Sequence, residues 1–386
     1  MSDWRSRAEL LLEQMDNASD GLKRRLRKIT RHNKPLLIVS YLGYGRPDKF
    51  FLKGRVLENR DFVTSPEDSK WQNLVNMYRR FETDEVPNAL VKAAFQGKEW
   101  EVYTDGEGYF DLEIFPNEIL DAGLLQEVEL ELINPVAADG ESVRTVGKVL
   151  VLGETAKFGI ISDIDDTVLQ SNITNKLKMI LTVALLNEHT RVPFKGVSAF
   201  YRALVKGAGG AENNPIFYVS SSPWNLYTPL IEFFKVHEIP LGPLFLKDFG
   251  NHTLFSSRDH QTHKLSSIER ILETFPDLPF VLIGDSGEQD PEIYREAVRK
   301  FPDRIRAIYI RSIRTDDSRL AAIGKLIAEV RETGCQLVLA PDTEFAAVHA
   351  AGEGLISTDE LPSVRSEKEK DENSPSAKEF VQETDS

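Results

Sequence analysis

Residues 158–168 read FGIISDIDDTV, and this stretch decides what the second half of the chain must be. Its opening FGIIS is a short apolar run of the kind that a strand covered on both faces needs. Two acids, Asp163 and Asp165, come where that strand ends. Three further segments follow in order: IFYVSSS at 216–222, the pair His263–Lys264, and FVLIGDSGEQD at 280–290. Ser220 ends a second apolar strand, Lys264 opens a helix, and Asp285 and Asp290 follow a third strand. Each segment pairs a group that phosphoryl transfer needs with a place to hold it.

Around these segments apolar runs alternate with helical patterns. FGIIS, PIFYVS, GPLFLK, PFVLIG, RIRAIYI and QLVLA read as strands. WNLYTPLIEFFKVH, HKLSSIERILETF, PEIYREAVRKF and SRLAAIGKLIAEVRET carry apolar residues at helical spacing. Such alternation predicts an α/β domain over 156–355 with a mostly parallel sheet. Ligands of these sheets bind beyond the carboxyl ends of the strands, where Asp163, Ser220 and Asp285 fall. Residues between Asp165 and Ser220 are numerous enough for a small helical cap, with Leu177, Ile180, Leu181, Ala184 and Leu185 at helical spacing and Arg191 and Lys195 nearby.

Upstream, residues 35–155 read as a β-sandwich-like domain of short strands separated by Gly, Asp, Asn and Pro. Asp105, Glu107 and Asp111 do not fit an EF-hand spacing, and Asp105–Gly106 reads as a hairpin turn. Residues 1–34 read as a basic helical segment, with Lys23, Arg24, Arg25, Arg27, Lys28 and Arg31 crowded together. That pattern suits a solvated helix face or contact with anionic lipid headgroups. Residues 356–386 are charge-rich and poor in large apolar side chains, which predicts a disordered acidic tail.

The bulk composition narrows the function. A net charge of -14 over 386 residues argues against nucleic acid as a partner, since phosphate backbones attract basic surfaces. The single cysteine, Cys335, fits a reducing compartment, and MSDWRSRAELLLEQMDNASD does not read as a secretory signal. No apolar run approaches the roughly 20 residues of a membrane span. The expectation is a cytoplasmic protein, peripheral at a membrane where it meets one.

The chemistry follows from the acids. Two carboxylates about 4 Å apart repel by about 4 kcal/mol at an effective dielectric near 20, so one must be protonated or a cation must sit between them. Phosphoryl transfer uses both solutions: an ionised Asp163 attacks phosphorus while Asp165 gives and takes the proton. Mg2+ suits an all-oxygen site, with Asp285 and Asp290 able to complete it beside Asp163. Asp290 also reads as an N-cap before Pro291. Ser220 is placed to bind phosphate oxygens, with Ser221 and Ser222 as rivals. Lys264 is placed to neutralise phosphoryl charge, with Lys247 as its rival.

These motifs resemble the haloacid-dehalogenase-like phosphatases, from Asp163 to Asp290. The likeness extends further. GYG at 43–45, GRVLE, YRRFETDEVP, DGEGYF, SDIDDTVLQS, GVSAFYRAL, NPIFYVSSSPWNLY, HKLSSIE, GDSGEQDPEIY and RIRAIYIR resemble the actin-patch-associated phosphatidate phosphatase family over about residues 35–315. The resemblance implies a haloacid-dehalogenase-like Rossmannoid sheet and a Mg2+-dependent phosphatase that turns phosphatidate into diacylglycerol. It implies Asp163 as nucleophile, Asp165 as acid and base, and Ser220 and Lys264 on phosphate. The metal would sit on Asp163, the Asp165 carbonyl and Asp285. Its partners would be an anionic lipid at a membrane surface and, through the β-rich domain, a protein. Two alternatives stand beside this reading: the same chemistry on a soluble phosphomonoester or phosphoprotein, and a non-catalytic β-sandwich adaptor.

Overall fold

The computed structural model describes residues 35–58, 85–118, 120, 125–136, 140, 142–164, 196–247, 257–312 and 316–373. The basic segment 1–34, Asp165, the cap region up to Lys195 and the tail after 373 lie outside them.

Eight strands build the β-rich part: β1 (Leu36–Ser40), β2 (Gly43–Arg46), β3 (Lys49–Glu58), β4 (Leu90–Phe95), β5 (Lys98–Tyr103), β6 (Tyr109–Ile114), β7 (Leu125–Asn134) and β8 (Arg144–Val151). They join in one path, β1-β3-β2-β8-β7-β4-β5, with β6 on the other edge of β3. Their inward residues meet in one core: Phe50, Leu52 and Val56 of β3 and Phe110 of β6 pack with Val128 and Val149 of β7 and β8. Two arms therefore face each other as in a sandwich, but they are linked through the parallel β2–β8 pair and are not separate sheets. The Asp105 turn is not the expected hairpin, because β5 pairs with β4 while β6 pairs with β3. The Asp105 carboxylate accepts the backbone N–H groups of Glu107 and Tyr109, which spends it on the turn.

The second part is a six-stranded parallel sheet ordered β11-β10-β9-β12-β13-β14. Its strands are β9 (Gly159–Asp163), β10 (Ile216–Pro223), β11 (Leu244–Lys247), β12 (Phe280–Asp285), β13 (Ile305–Arg311) and β14 (Gln336–Ala340). Among the described residues seven helices accompany it: α1 (Val197–Lys206), α2 (Tyr227–Val236), α3 (Ser257–Thr274), α4 (Asp290–Lys300), α5 (Asp317–Arg331), α6 (Thr343–Gly352) and α7 (Leu361–Asn373). Alternation along β9 explains the layering. Ile160 faces the α1, α2, α6 and α7 side, whereas Ile161 faces α3, α4 and α5. Each strand is covered on both faces, so each reads as a nearly continuous apolar run. From β9 the chain moves out through β10 and β11 and returns to β12 on the other side. The strand order thus reverses between β9 and β12, where open α/β sheets place their sites.

Three expectations need correction. VSAFYRALV is not cap: it forms α1, whose Phe200, Ala203 and Leu204 pack on the sheet. Lys264 does not open its helix, since α3 begins at Ser257 and places the lysine two turns in. The disordered tail does not begin at 356. A short 3-10 turn at Thr358–Glu360 leads into α7, which docks through Val364, 0% exposed, and through ion pairs Arg202–Glu367 and Lys368–Asp342. High charge predicts disorder only where the charges lack fixed partners, and here opposite charges on α1 and α6 supply them.

Candidate active site

β9 and β12 end side by side, with Ser162 paired to Ile283, so Asp163 and Asp285 emerge next to each other. Asp163 leaves the sheet toward α3. There Lys264 Nζ lies 2.6 Å from Asp163 Oδ1, and both side chains are only 4% exposed. The same ammonium lies 2.6 Å from Glu288 Oε2 and 3.1 Å from Asp290 Oδ1. A lysine is buried this deeply only when paired.

The GDSGEQD loop is folded by its own acids. Asp285 Oδ1 accepts the N–H groups of Gly287 at 2.7 Å and Glu288 at 3.0 Å. Asp290 Oδ2 accepts the Asp285 N–H at 3.1 Å. Asp290 is the first residue of α4 rather than its N-cap, which is Gln289. Its carboxylate turns back into the site and occupies the space beside Gly284. A Cβ on Gly284 would come 2.4 Å from Asp290 Oδ2, so only glycine admits that carboxylate.

Ligand oxygens of Asp163, Asp285 and Asp290 lie within 4.8 Å of one another, and all three residues are buried. Asp163, Glu288 and Asp290 pair with the Lys264 ammonium and Asp285 adds a fourth carboxylate to the cluster, an excess of negative charge that a divalent cation would offset. The donors are all oxygen, the set a hard cation such as Mg2+ prefers.

Ser220 lies on β10, one residue beyond Val219, which pairs with Asp163. It is fully buried, and its Oγ accepts the Ser222 N–H at 2.9 Å. Lys247, the rival cation, ends β11, which is separated from β9 by β10. The structure therefore brings together Asp163, Lys264, Asp285 and Asp290, with Ser220 on the adjoining strand; Asp165 lies outside the described residues.

Several site residues escaped the sequence reading. Glu288 was hidden between two stronger acids. Arg319 reaches in from α5: Nε donates to Ser286 O at 3.1 Å, Nη2 donates to Glu288 O, and the guanidinium pairs with Glu292. No local pattern announces an arginine that acts across 31 residues of sequence. On the other face Tyr201 of α1 shares a 2.6 Å hydrogen bond with Ser162. Burial pushes the Tyr201 hydroxyl up to about 12, against the lowering effect of that bond, so it stays protonated. Asp163, Tyr201, Phe200, Ala346, Arg311 and Asp342 border a small cleft of about 40 Å³. Arg311 ends β13, so the cleft lining joins apolar residues with Arg311, Asp163 and Asp342.

Fold and site together define an α/β domain with an acidic, lysine-clamped centre at the reversal point of a parallel sheet. Residues 158–312 match the family model described as "Phosphatidate phosphatase APP1, catalytic domain". That part of the chain is thus similar to the catalytic domain of APP1-like phosphatidate phosphatases. The chain is 35% identical over 155 residues to phosphatidate phosphatase APP1 of Saccharomyces cerevisiae, a match covering 40% of this chain and 26% of the yeast protein. It is 31% identical over 220 residues to an uncharacterized protein of Schizosaccharomyces pombe, covering 56% of this chain and 35% of that one. The chain thus spans about a third or less of the curated relatives it matches. Among solved structures, a carbohydrate acetylesterase from Xanthomonas citri aligns over 75% of this chain and 72% of its own at 13% identity and TM-score 0.25, a likeness that carries no argument. Among the described residues no helix is long and apolar enough to cross a membrane.

Proposed function

We propose that this protein is a phosphatidate phosphatase that releases inorganic phosphate from phosphatidate through a phosphorylated Asp163. The observation that carries this reading is the convergence of Asp163, Asp285 and Asp290 around Lys264, in the segment that matches the phosphatidate phosphatase catalytic domain. A pure binding module needs an anion-binding cation, but no buried carboxylate set beside it. An Asp163 oxygen attacks phosphorus while the bond from phosphorus to the glycerol oxygen breaks. Asp165 gives its proton to the departing alkoxide, leaving diacylglycerol. It then takes a proton from water, whose oxygen attacks the acyl phosphate, releasing phosphate and regenerating the Asp163 carboxylate.

Lys264 keeps Asp163 ionised before attack and meets the negative charge of the phosphoryl oxygens afterwards. Ser220 brings its hydroxyl to the phosphate from the neighbouring strand. Asp163, Asp285 and Asp290 would hold Mg2+, which when bound supplies positive charge beside the transferring group. The reading of a lipid leaving group rests on the match of residues 158–312 to the phosphatidate phosphatase catalytic domain. Membrane contact would be peripheral.

The test is phosphate release from phosphatidate in detergent micelles, with and without Mg2+, beside a panel of soluble phosphomonoesters. The expected result is Mg2+-dependent turnover of phosphatidate that Asp163→Asn abolishes while the variant stays folded. Preference for the soluble panel would assign the same chemistry to another substrate. Turnover unaffected in Asp163→Asn would overturn the mechanism.

A further inference from the structure

We infer that the β-rich part positions the serine loop of the catalytic part, with Arg55 as the positioning residue. This rests on reading Ser220–Ser222 as the phosphate-binding loop.

The serine loop interrupts the β10–β11 ladder. β10 pairs with β11 at Val219↔Phe245 and again at Pro223↔Lys247, so four steps along β10 oppose two along β11. The extra residues are the serines, which bulge out of the ladder. Such a bulge aims side chains at a site, but its shape depends on what fixes its far end. That end continues into a 3-10 turn at Trp224–Leu226 and then α2.

The β-rich part grips this turn at consecutive points. The Trp224 ring stacks on Tyr41, with centroids 4.4 Å apart and planes at 27°. Tyr227 Oη accepts the Leu42 N–H at 2.8 Å. Arg55 Nη1 donates to Asn225 Oδ1 at 3.0 Å. Tyr41 and Leu42 fill the break between β1 and β2, and Arg55 lies on β3.

Arg55 is built to deliver that last bond. It is 4% exposed, and its Nε and Nη2 are engaged within the β-rich part. Nε donates to Glu107 O at 2.9 Å, Nη2 pairs with Glu85 at 3.4 Å, and the guanidinium lies 4.3 Å from the centre of the Tyr109 ring. A planar guanidinium fixed on three sides offers its remaining edge in one direction, toward Asn225. Asn225 is three residues from Ser222, whose N–H holds the Ser220 hydroxyl. Slackening at Asn225 is therefore passed to Ser220 through a short stretch of backbone. The matched catalytic segment, 158–312, does not contain Arg55, Tyr41 or Leu42. The catalytic part therefore takes the geometry of its serine loop from outside that segment.

An interface that merely joins two parts would change stability and leave phosphate affinity alone. Calorimetric titration of the full chain with inorganic phosphate separates the two roles without requiring turnover. Asn225→Ala and Arg55→Lys are each expected to weaken phosphate binding about fivefold to tenfold. The double variant should be no weaker than the worse single one. Asn225→Asp, which keeps an acceptor for Arg55, should restore affinity to within about twofold of the original. Should Arg55→Lys fail to fold, the half-buried Asn225 pair of variants decides alone. Folded Asn225→Ala protein that binds phosphate as tightly as the parent, whatever its Tm, overturns the inference. A parent protein that takes up no phosphate overturns the phosphate-loop reading itself, and this inference with it.

Discussion

Lys264 Nζ and Asp163 Oδ1 are 2.6 Å apart in a pocket where each side chain is 4% exposed. Glu288 and Asp290 share the same ammonium. Removing the cation leaves three acids crowded in a medium that solvates charge poorly, which costs about 3–5 kcal/mol. Lys264→Met is expected to lower the urea midpoint accordingly and to abolish phosphatase turnover. Lys264→Arg should recover much of the stability, but its planar fork does not fit a three-acid socket shaped for an ammonium, so turnover should stay low. Urea titration beside phosphate release distinguishes the two effects.

Gly284→Ala tests whether the carboxylate of Asp290 belongs where it stands. The new methyl would sit 2.4 Å from Asp290 Oδ2 and 2.8 Å from Asp290 Cβ, so α4 or the carboxylate must shift. Either movement breaks the Asp285 N–H bond and loosens the grip on Lys264. The expected loss is at least tenfold in kcat with destabilisation of about 1–3 kcal/mol. Unchanged kcat would show that Asp290 has no bearing on the reaction.

The sheet and its site were largely readable from sequence because their signals are local. Strands β9 to β14 are nearly continuous apolar runs, and Asp163, Ser220 and Asp285 come at or just past the ends of such runs. The signals that were missed are relational. Lys264 could be named but not placed, because α3 begins with the polar SRDHQT, in which no apolar period marks a start. Arg319 and Arg55 act through backbone carbonyls and side chains far along the chain. α7 looked like solvated tail, since its one fully buried apolar residue is Val364 and its charges acquire meaning only against α1 and α6.

α7 also makes a prediction of its own. α1 follows Gly196, which supplies no side-chain cap, and Glu367 of α7 fills that role by accepting the Ala199 N–H at 2.8 Å. The other Glu367 oxygen pairs with Arg202 at 2.6 Å. Loss of a capping acceptor costs about 1 kcal/mol. Glu367→Ala should therefore lower stability by about that much and speed hydrogen exchange at the Ala199 amide. Glu367→Gln, which keeps an acceptor, should fall between. No change at Ala199 would mean that α7 does not fix the start of α1.

Cys335 is 6% exposed, and burial pushes its thiol up to about 11. The reactive species is the thiolate, so at pH 8 roughly one molecule in a thousand carries it. The native protein should react with a chromogenic disulfide at least about a hundredfold more slowly than the urea-unfolded chain. Its rate should climb with pH well past the range in which an ordinary thiol has levelled off. Fast native labelling at pH 8 would show that the β14 edge opens readily.

Mg2+ binding can be read without turnover. A ligand that binds only the folded state at about ten times its Kd stabilises by about 1.4 kcal/mol. For a domain of this size that corresponds to a rise in Tm of about 2–5 °C. Saturating Mg2+ should produce such a shift in the parent protein and in Asp163→Asn, which keeps an oxygen ligand at reduced strength. Asp285→Ala should lose the shift, since it removes a buried carboxylate whose neighbours, Asp163 and Asp290, lie within the same 4.8 Å cluster. Because Asp285 Oδ1 also folds the loop through Gly287 and Glu288, Asp285→Asn is the necessary companion: it keeps that acceptor and removes the charge. A full Mg2+ shift in both Asp285 variants would place the cation somewhere other than between the carboxyl ends of β9 and β12.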